Sequence, residues 1–369
     1  MTDIAANTTV PVFRPLTADN FIKALQGEEV TDKNGHSLSF LENNQIIVKN
    51  VRVDELIHIT EGTIFSADIS FQNGFFQEFC IDGGLFECSV SISGGIFQGS
   101  FEIKNGLFQS FIHIEGGQFD SFSLRGGKYK DSISIEGNTR IDNFSITDGI
   151  YYSPFQIEGG RFSKIFIIWG GIFYSYFIIC GGEFECACNI NGGEFQKKLL
   201  IELENNEEKK NFIDEFYIDG GIFNDVLFYS GIFRKIQIDR SKIKRLTING
   251  QLPLSSESDR LFIDELIIFL KTQENLNIHS SKINNLTISG LLQKDERIYL
   301  SDLKINILKF VQFENEGYIY ITNIEGENKY LLQKDNNGNQ AVVQETKNDS
   351  IFCFFNCSNI GNASFINTD

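Results

Sequence analysis

Arg234, Lys235, Arg240, Lys242, Lys244 and Arg245 put six basic residues within twelve positions, the densest charged feature of the chain. Five of them, Arg234, Arg240, Lys242, Lys244 and Arg245, would make an anion or nucleotide site on an otherwise acidic molecule. Their spacing also admits a structural reading. Asp225 and Glu265 lie twenty residues before and after Arg245, and Asp264 lies twenty after Lys244. In a chain that coils at that period, opposite charges stand above one another as a cross-strand ladder. The ladder is the first reading and the anion site the second, so Arg245 is expected within salt-bridge distance of Glu265 or Asp225.

Adjacent acids recur at Asp54-Glu55, Asp214-Glu215 and Asp264-Glu265, each before a large apolar residue. Paired carboxylates cleave glycosides when they flank the bond at roughly 5–9 Å and one has a raised pKa. Neighbours on an extended strand point to opposite faces, so these pairs read as corner residues. The histidines His36, His58, His113 and His279 keep no metal-ligand spacing with one another or with Cys and read as solvated. Cys186-Ala187-Cys188 places two thiols on one strand face. Cys88 and Cys186 share a column with Gly99, Ser110 and Ser175, where a small apolar filler suffices. No catalytic residue, metal or cofactor is expected, and the chain reads as a non-enzyme.

The elements that carry these residues follow from a repeat. A glycine pair or a close substitute has its second member at Gly84, Gly95, Gly106, Gly117, Gly127, Asn138, Gly149, Gly160, Gly171, Gly182 and Gly193, eleven apart with one step of ten. An aromatic follows two residues later, from Phe86 to Phe195, except after Asn138, where Arg140 breaks the column. Two more apolar columns lie two residues apart, as in Phe101 and Ile103 or Phe166 and Ile168, which is strand alternation. Beyond Ile236 the period tightens to ten, with Gln251 to Arg260 as a loop. Short fixed periods of this kind specify a solenoid, in which no unit buries its apolar face alone. The expected fold is an all-β, right-handed parallel β-helix of about 20–22 residues per coil, with Ile243, Ile263 and Ile283 in one column. At the strand spacing of about 4.8 Å per coil, residues from about 45 onward would form a rod on the order of 70 Å long.

The chain divides accordingly. Residues 1–44 lack the repeat, and Thr17 to Gly27 carries a cap-like start and a glycine stop for a short helix closing one end of the stack. Residues 45–202 hold the 11-residue units and 203–324 the 10-residue units with loop insertions. Residues 325–349 form a polar loop, and 350–369 a final coil. The net charge of −17 argues against nucleic-acid duplex binding. Seven cysteines in irregular positions and an N-terminus without signal-like character point to a reducing, cytoplasmic compartment. Ile165 to Cys180 is apolar but shorter than the ~18–20 residues of a span, and the repeat runs through it.

Three five-residue units close the chain: Cys353-Phe354-Phe355-Asn356-Cys357, Ser358-Asn359-Ile360-Gly361-Asn362 and Ala363-Ser364-Phe365-Ile366-Asn367. They resemble the pentapeptide-repeat family, whose coils are right-handed quadrilateral β-helices. Thr368-Asp369 would begin a further unit, so the native chain is expected to continue. Some bacterial proteins of this general look carry membrane helices after the solenoid, which implies a cytoplasmic part of a membrane protein.

Outward positions along most of the rod are polar, but between 150 and 180 they turn apolar. Tyr152, Ile165, Ile167, Trp169, Ile172, Tyr174, Tyr176 and Ile178 fall opposite inward Phe and Ile residues. A strand apolar on both faces calls for a cover, and Trp and Tyr are favoured interface anchors. The first functional reading is therefore a non-catalytic recognition or assembly module that contacts a protein partner or a second copy through this patch. The N-terminal segment or the 325–349 loop is the alternative cover. A ligand-sensing domain of a membrane effector is the second functional reading, and a carbohydrate-binding or polysaccharide-cleaving β-helix the third.

Overall fold

The alternation of apolar and polar residues closes into coils because every apolar column finds its continuation one coil away. The computed structural model describes residues 13–203, 212–249, 261–270, 275–292, 296–315, 318–325, 351–355 and 363–366. It is an all-β solenoid of parallel stacked coils. In the first part each coil pairs one long strand that turns a corner, such as Ile96–Phe108, with one short strand, such as Ile112–Ile114. The long strands pair with long and the short with short. Phe101 stands opposite Phe79 and Phe122, and Ile112 opposite Val90 and Ile133. The side of the solenoid that carries Ile103 and Ile168 is called the first side here, and the one that carries Ile114 and Ile179 the second.

Inside, identical rings meet identical rings. Phe97 stacks on Phe119 at 4.5 Å and 2°, and Tyr151 on Phe173 at 4.5 Å and 8°. The neighbouring column meets the first edge-on, as Phe97 does Phe101 at 5.2 Å and 89°. Both arrangements are favoured by the aromatic quadrupole, so the columns hold the coils in register as well as excluding water.

In the corner pair Gly126-Gly127 the two members are glycine for different reasons. A Cβ on Gly126 would stand 2.2 Å from the carbonyl oxygen of Lys104 in the coil below. Gly127 adopts φ +88°, in the left-handed region that costs a side chain most. Arg140 does not interrupt the core. It is exposed, next to buried Thr139, and Ile141 takes the column between Phe119 and Phe162.

Ile263 and Ile283 share a column, as expected, but Ile243 does not join them. It stacks on Phe223, whereas Ile263 stacks on Phe233. The cause is the stretch 251–260: its ten residues equal one half-coil in number, so counting by twenty across it lands on the opposite side. Coils on either side of it still close at twenty, as Asp225 with Arg245 and Ile263 with Ile283 show. The insertion residues 204–211 and 251–260, the stretch 326–350 and residues 356–362 lie outside the described residues. Strands Ile351–Phe355 and Ala363–Ile366 carry the two stacks onward.

The N-terminal helix Ala18–Leu25 caps the first coil, with Thr17 Oγ1 accepting from the Asn20 amide and Gly27 ending it at φ +87°. Phe21 is fully buried against Phe40, Phe71, Phe76 and Phe79. No helix among the described residues is long and apolar enough to cross a membrane.

Two outcomes test this packing. The Tyr129 hydroxyl is buried and has no partner, whereas that of Tyr151 donates to the Asp148 carbonyl at 3.1 Å. Tyr129→Phe should therefore raise stability by about 1 kcal/mol and Tyr151→Phe lower it by a similar amount, read from urea midpoints. The cap depends on Glu55, which accepts from Lys33 Nζ at 2.8 Å and from the Ala18 amide at 2.9 Å. These bonds, the lysine's foremost, hold its carboxyl below the usual range. Its contribution is complete above the ordinary carboxylate pKa and is lost as pH falls through the lowered folded value. Protection of the helix amides against exchange, relative to the intrinsic rate, should fall in that acid window, and Glu55→Gln should remove this pH dependence of protection.

Candidate functional site

Outward side chains also form columns, because coil stacking repeats the outside as faithfully as the core. On the first side Ile167, Asn189, Tyr217 and Gln237 stand in one column. Beside it runs a second, in which Trp169 is followed by Asn191, Asp219 and Asp239, with the Asn191 amide bonded to the Ile168 carbonyl and Asp219 opposite Asp239. Asn189, Asn191, Tyr217, Asp219, Gln237 and Asp239 border a shallow groove of ≈ 210 Å³. Trp169, 60 % exposed, lies one coil before Asn191 and outside the groove lining, and among the described residues no ring or cation packs on its indole.

The groove is fixed by its neighbours. Tyr217 Oη donates to Glu215 Oε2 at 2.7 Å, and Lys235 Nζ lies 5.5 Å from the Tyr217 ring centre. The Tyr217 hydroxyl, then Arg234, hold the Glu215 carboxyl below the usual range. Asp219 is gripped by Arg240, a residue whose φ of 48° lies in the left-handed region at the corner where earlier coils use glycine. The chemistry on offer is a flat apolar indole beside amide and carboxylate groups spaced about 4.8 Å apart, the strand separation.

The apolar patch bends around the Gly170-Gly171 corner. Ile165, Ile167 and Trp169 lie on the first side; Ile172, Tyr174, Tyr176 and Ile178 follow the corner onto the second. Tyr152 stacks on Tyr174 at 5.3 Å and 7°, and Lys130 Nζ sits 3.9 Å from the Tyr152 ring centre. The N-terminal segment packs around Phe71 and Phe79, away from this patch. Most of the other candidate cover, from 326 on, lies outside the described residues.

The basic cluster divides. Arg245 pairs with Asp225, Nε to Oδ1 at 2.8 Å and Nη2 to Oδ2 at 3.0 Å. Arg234 pairs with Asp214 and Glu215. Glu265 is not Arg245's partner: it stands opposite Lys235, again because 251–260 shifts the count by a half-coil. Asp264 accepts from Asn284. Lys242 and Lys244 form no ion pair among the described residues. They border a second groove of ≈ 370 Å³ just past the glycine corner, with Glu194, Gln196, Ile222 and Asn224.

The remaining candidates stay apart. His113 reaches Ser134 at 2.7 Å and two glutamates, Glu115 and Glu136, at 3.5–3.7 Å. No group of metal-binding side chains occurs among the described residues. Burial pushes the Cys88 and Cys186 thiols up to about 11, which suits filler and not nucleophiles. The polar groove itself was missed in the sequence. Its signal is present: Asn189 and Asn191 flank inward Ile190, Tyr217 and Asp219 flank Ile218, and Gln237 and Asp239 flank Ile238.

Part of the chain is similar to a Formosa agariphila protein named "Putative beta-xylosidase", 28 % identical over 130 residues. The match covers 35 % of this chain and 16 % of that protein, so the chain spans well under two thirds of its relative's length. No protein-family model matches the chain. No solved structure matches it either. The similarity overturns the first functional reading, a non-catalytic module for protein contacts or oligomerisation; the carbohydrate reading, placed third, fits it better.

The ion-pair ladder yields a measurable asymmetry. Asp225 is nearly buried and depends on Arg245, whereas the partners of Arg234 are more exposed. Arg245→Ala should cost roughly 1–2 kcal/mol because it strands a carboxylate, and Arg234→Ala roughly 0–1 kcal/mol. Urea unfolding of the two variants side by side reads the difference.

Proposed function

We propose that the solenoid binds a polysaccharide along the first side, with Trp169 as the stacking platform and the Asn189–Asp239 groove as the hydroxyl-reading track. The observation that carries this is the column Trp169, Asn191, Asp219, Asp239. In this column an exposed indole lies one coil before a row of hydrogen-bonding side chains that line the groove. Sugars present two chemistries at once, a face of C–H bonds that packs on an aromatic ring and a rim of hydroxyls that both donate and accept. Amides supply both roles and carboxylates accept, so this row suits the rim as the indole suits the face. A pyranose unit is close in length to one coil, so successive sugars would meet successive coils. The partial similarity to a protein named for xylosidase activity supports a xylan-like, β-linked chain as the ligand class.

The reading is one of polysaccharide recognition by these two columns. Hydrolysis needs a carboxyl held protonated beside an ionised one. Beside the groove, the Glu215 carboxyl is shifted the other way by the bonded Tyr217 and Arg234 groups, and Asp219 is held by Arg240, so both are placed to accept hydrogen bonds.

Affinity electrophoresis and calorimetry with soluble xylan test the proposal. Binding should fall at least about tenfold in Trp169→Ala, as for a buried aromatic anchor at an interface, and clearly in Asn191→Ala with Gln237→Ala. Glu78→Gln, on the same side but several coils away, should bind like the parent. Absence of xylan binding by the parent chain, or full binding by Trp169→Ala, would defeat the proposal.

A further inference from the structure

We infer that the second groove, past the glycine corner, selects a polysaccharide carrying isolated carboxylate groups, that is, a neutral backbone with uronic-acid substituents. This rests on the polysaccharide reading above and names the ligand class more narrowly. Two columns build the groove. Ile150, Ile172, Glu194, Ile222 and Lys242 follow one another in register. Beside them, Tyr174, Gln196, Asn224 and Lys244 each follow the inward residue of their coil, Phe173, Phe195, Phe223 and Ile243. The groove therefore runs parallel to the first and is separated from it by the corner, Gly192-Gly193 and Gly220-Gly221 in the lower coils and Arg240-Ser241 at the level of the lysines.

Its charge is the informative feature. Three arginines of the basic cluster are neutralised by carboxylates of neighbouring coils. Lys242 and Lys244, exposed and adjacent, are left without an ion pair among the described residues and converge on one groove. They stand level with Asp239, at the upper end of the first groove. A substituent on a sugar bound there has to cross one corner to reach them. Below the lysines the lining is neutral, Gln196, Ile222 and Asn224, and then acidic at Glu194. Together with the net charge of −17, this disfavours a chain charged at every residue and favours a single carboxylate at this level.

The probes are glucuronoxylan and the same polymer after chemical reduction of its carboxyls to alcohols. The intact chain should bind the acidic polymer roughly five- to tenfold more tightly at low salt, the scale of two exposed charge contacts. The preference should shrink in high salt. Lys242→Gln with Lys244→Gln should lower affinity for the acidic polymer to that for the reduced one and leave the reduced polymer's binding unchanged. Lys242→Arg with Lys244→Arg should restore the preference. Equal binding of both polymers by the parent chain would overturn this inference and leave the polysaccharide reading standing. Binding of neither would remove that reading, and this one with it. Tighter binding of a fully charged polyuronate than of glucuronoxylan would also overturn the assignment.

Discussion

Parallel, in-register hydrogen bonding between coils is the constraint on which the rest of the molecule depends. A coil adds one strand spacing along the axis, about 4.8 Å, and every residue must then tolerate its counterpart at that distance. Aromatic rings do so by offset stacking, which is why Phe97 and Phe119 lie 2° from parallel. Glycine answers the same demand at the corner, where a Cβ on Gly126 would collide with the Lys104 carbonyl. The core is thus made of columns, and the loss of one Phe would be felt by the coils above and below it.

The same constraint acts outside. Like charges stacked at one strand spacing repel, and opposite charges bind, so the acidic residues at 214, 215, 219 and 225 receive arginines one coil later. Their contribution is small where the pair is solvated and larger at Asp225, which is nearly buried. What matters for function is the remainder. Once the ladder has used its arginines, Lys242 and Lys244 are the members of the cluster that still face a groove.

The fold was legible because its signal is repeated many times: the Gly-Gly pair, the aromatic two residues on and the Ile column each recur at a fixed count. Thr17 and Gly27 marked the helix through local capping chemistry, which needs no long-range information. Where counting failed, the reason was an insertion. A count of twenty sets Ile243 with Ile263 and offers Glu265 to Arg245 beside its actual partner Asp225, because ten extra residues at 251–260 equal one half-coil. The aromatic patch is legible by parity, whereas its division between two sides at Gly170-Gly171 follows only from the pairing of the coils. The polar groove was hidden for a related reason. Asn189 and Tyr217 are neighbours in space but 28 residues apart, a step no regular period reaches.

That irregular step also explains why a groove exists at this height. Uniform stacking gives flat sides, and a flat side offers a long ligand no preferred position. Between Ile168 and Ile238 the solenoid passes from 11-residue to 10-residue units, carries the insertion 204–211, and exchanges a Gly-Gly corner for Arg240-Ser241. The outward character changes over the same coils, from Ile167 and Trp169 to Asn189, Asn191, Asp219 and Asp239. At the new corner Arg240 is held in the left-handed region and bonds Asp219, so the carboxylate row is braced from the side. A ligand that packs an apolar face on the indole and hydrogen-bonds beyond it can satisfy both requirements where the two surfaces meet. Higher or lower on the rod it would satisfy one of them. Position on an otherwise repetitive surface is thus set by the break in the repeat.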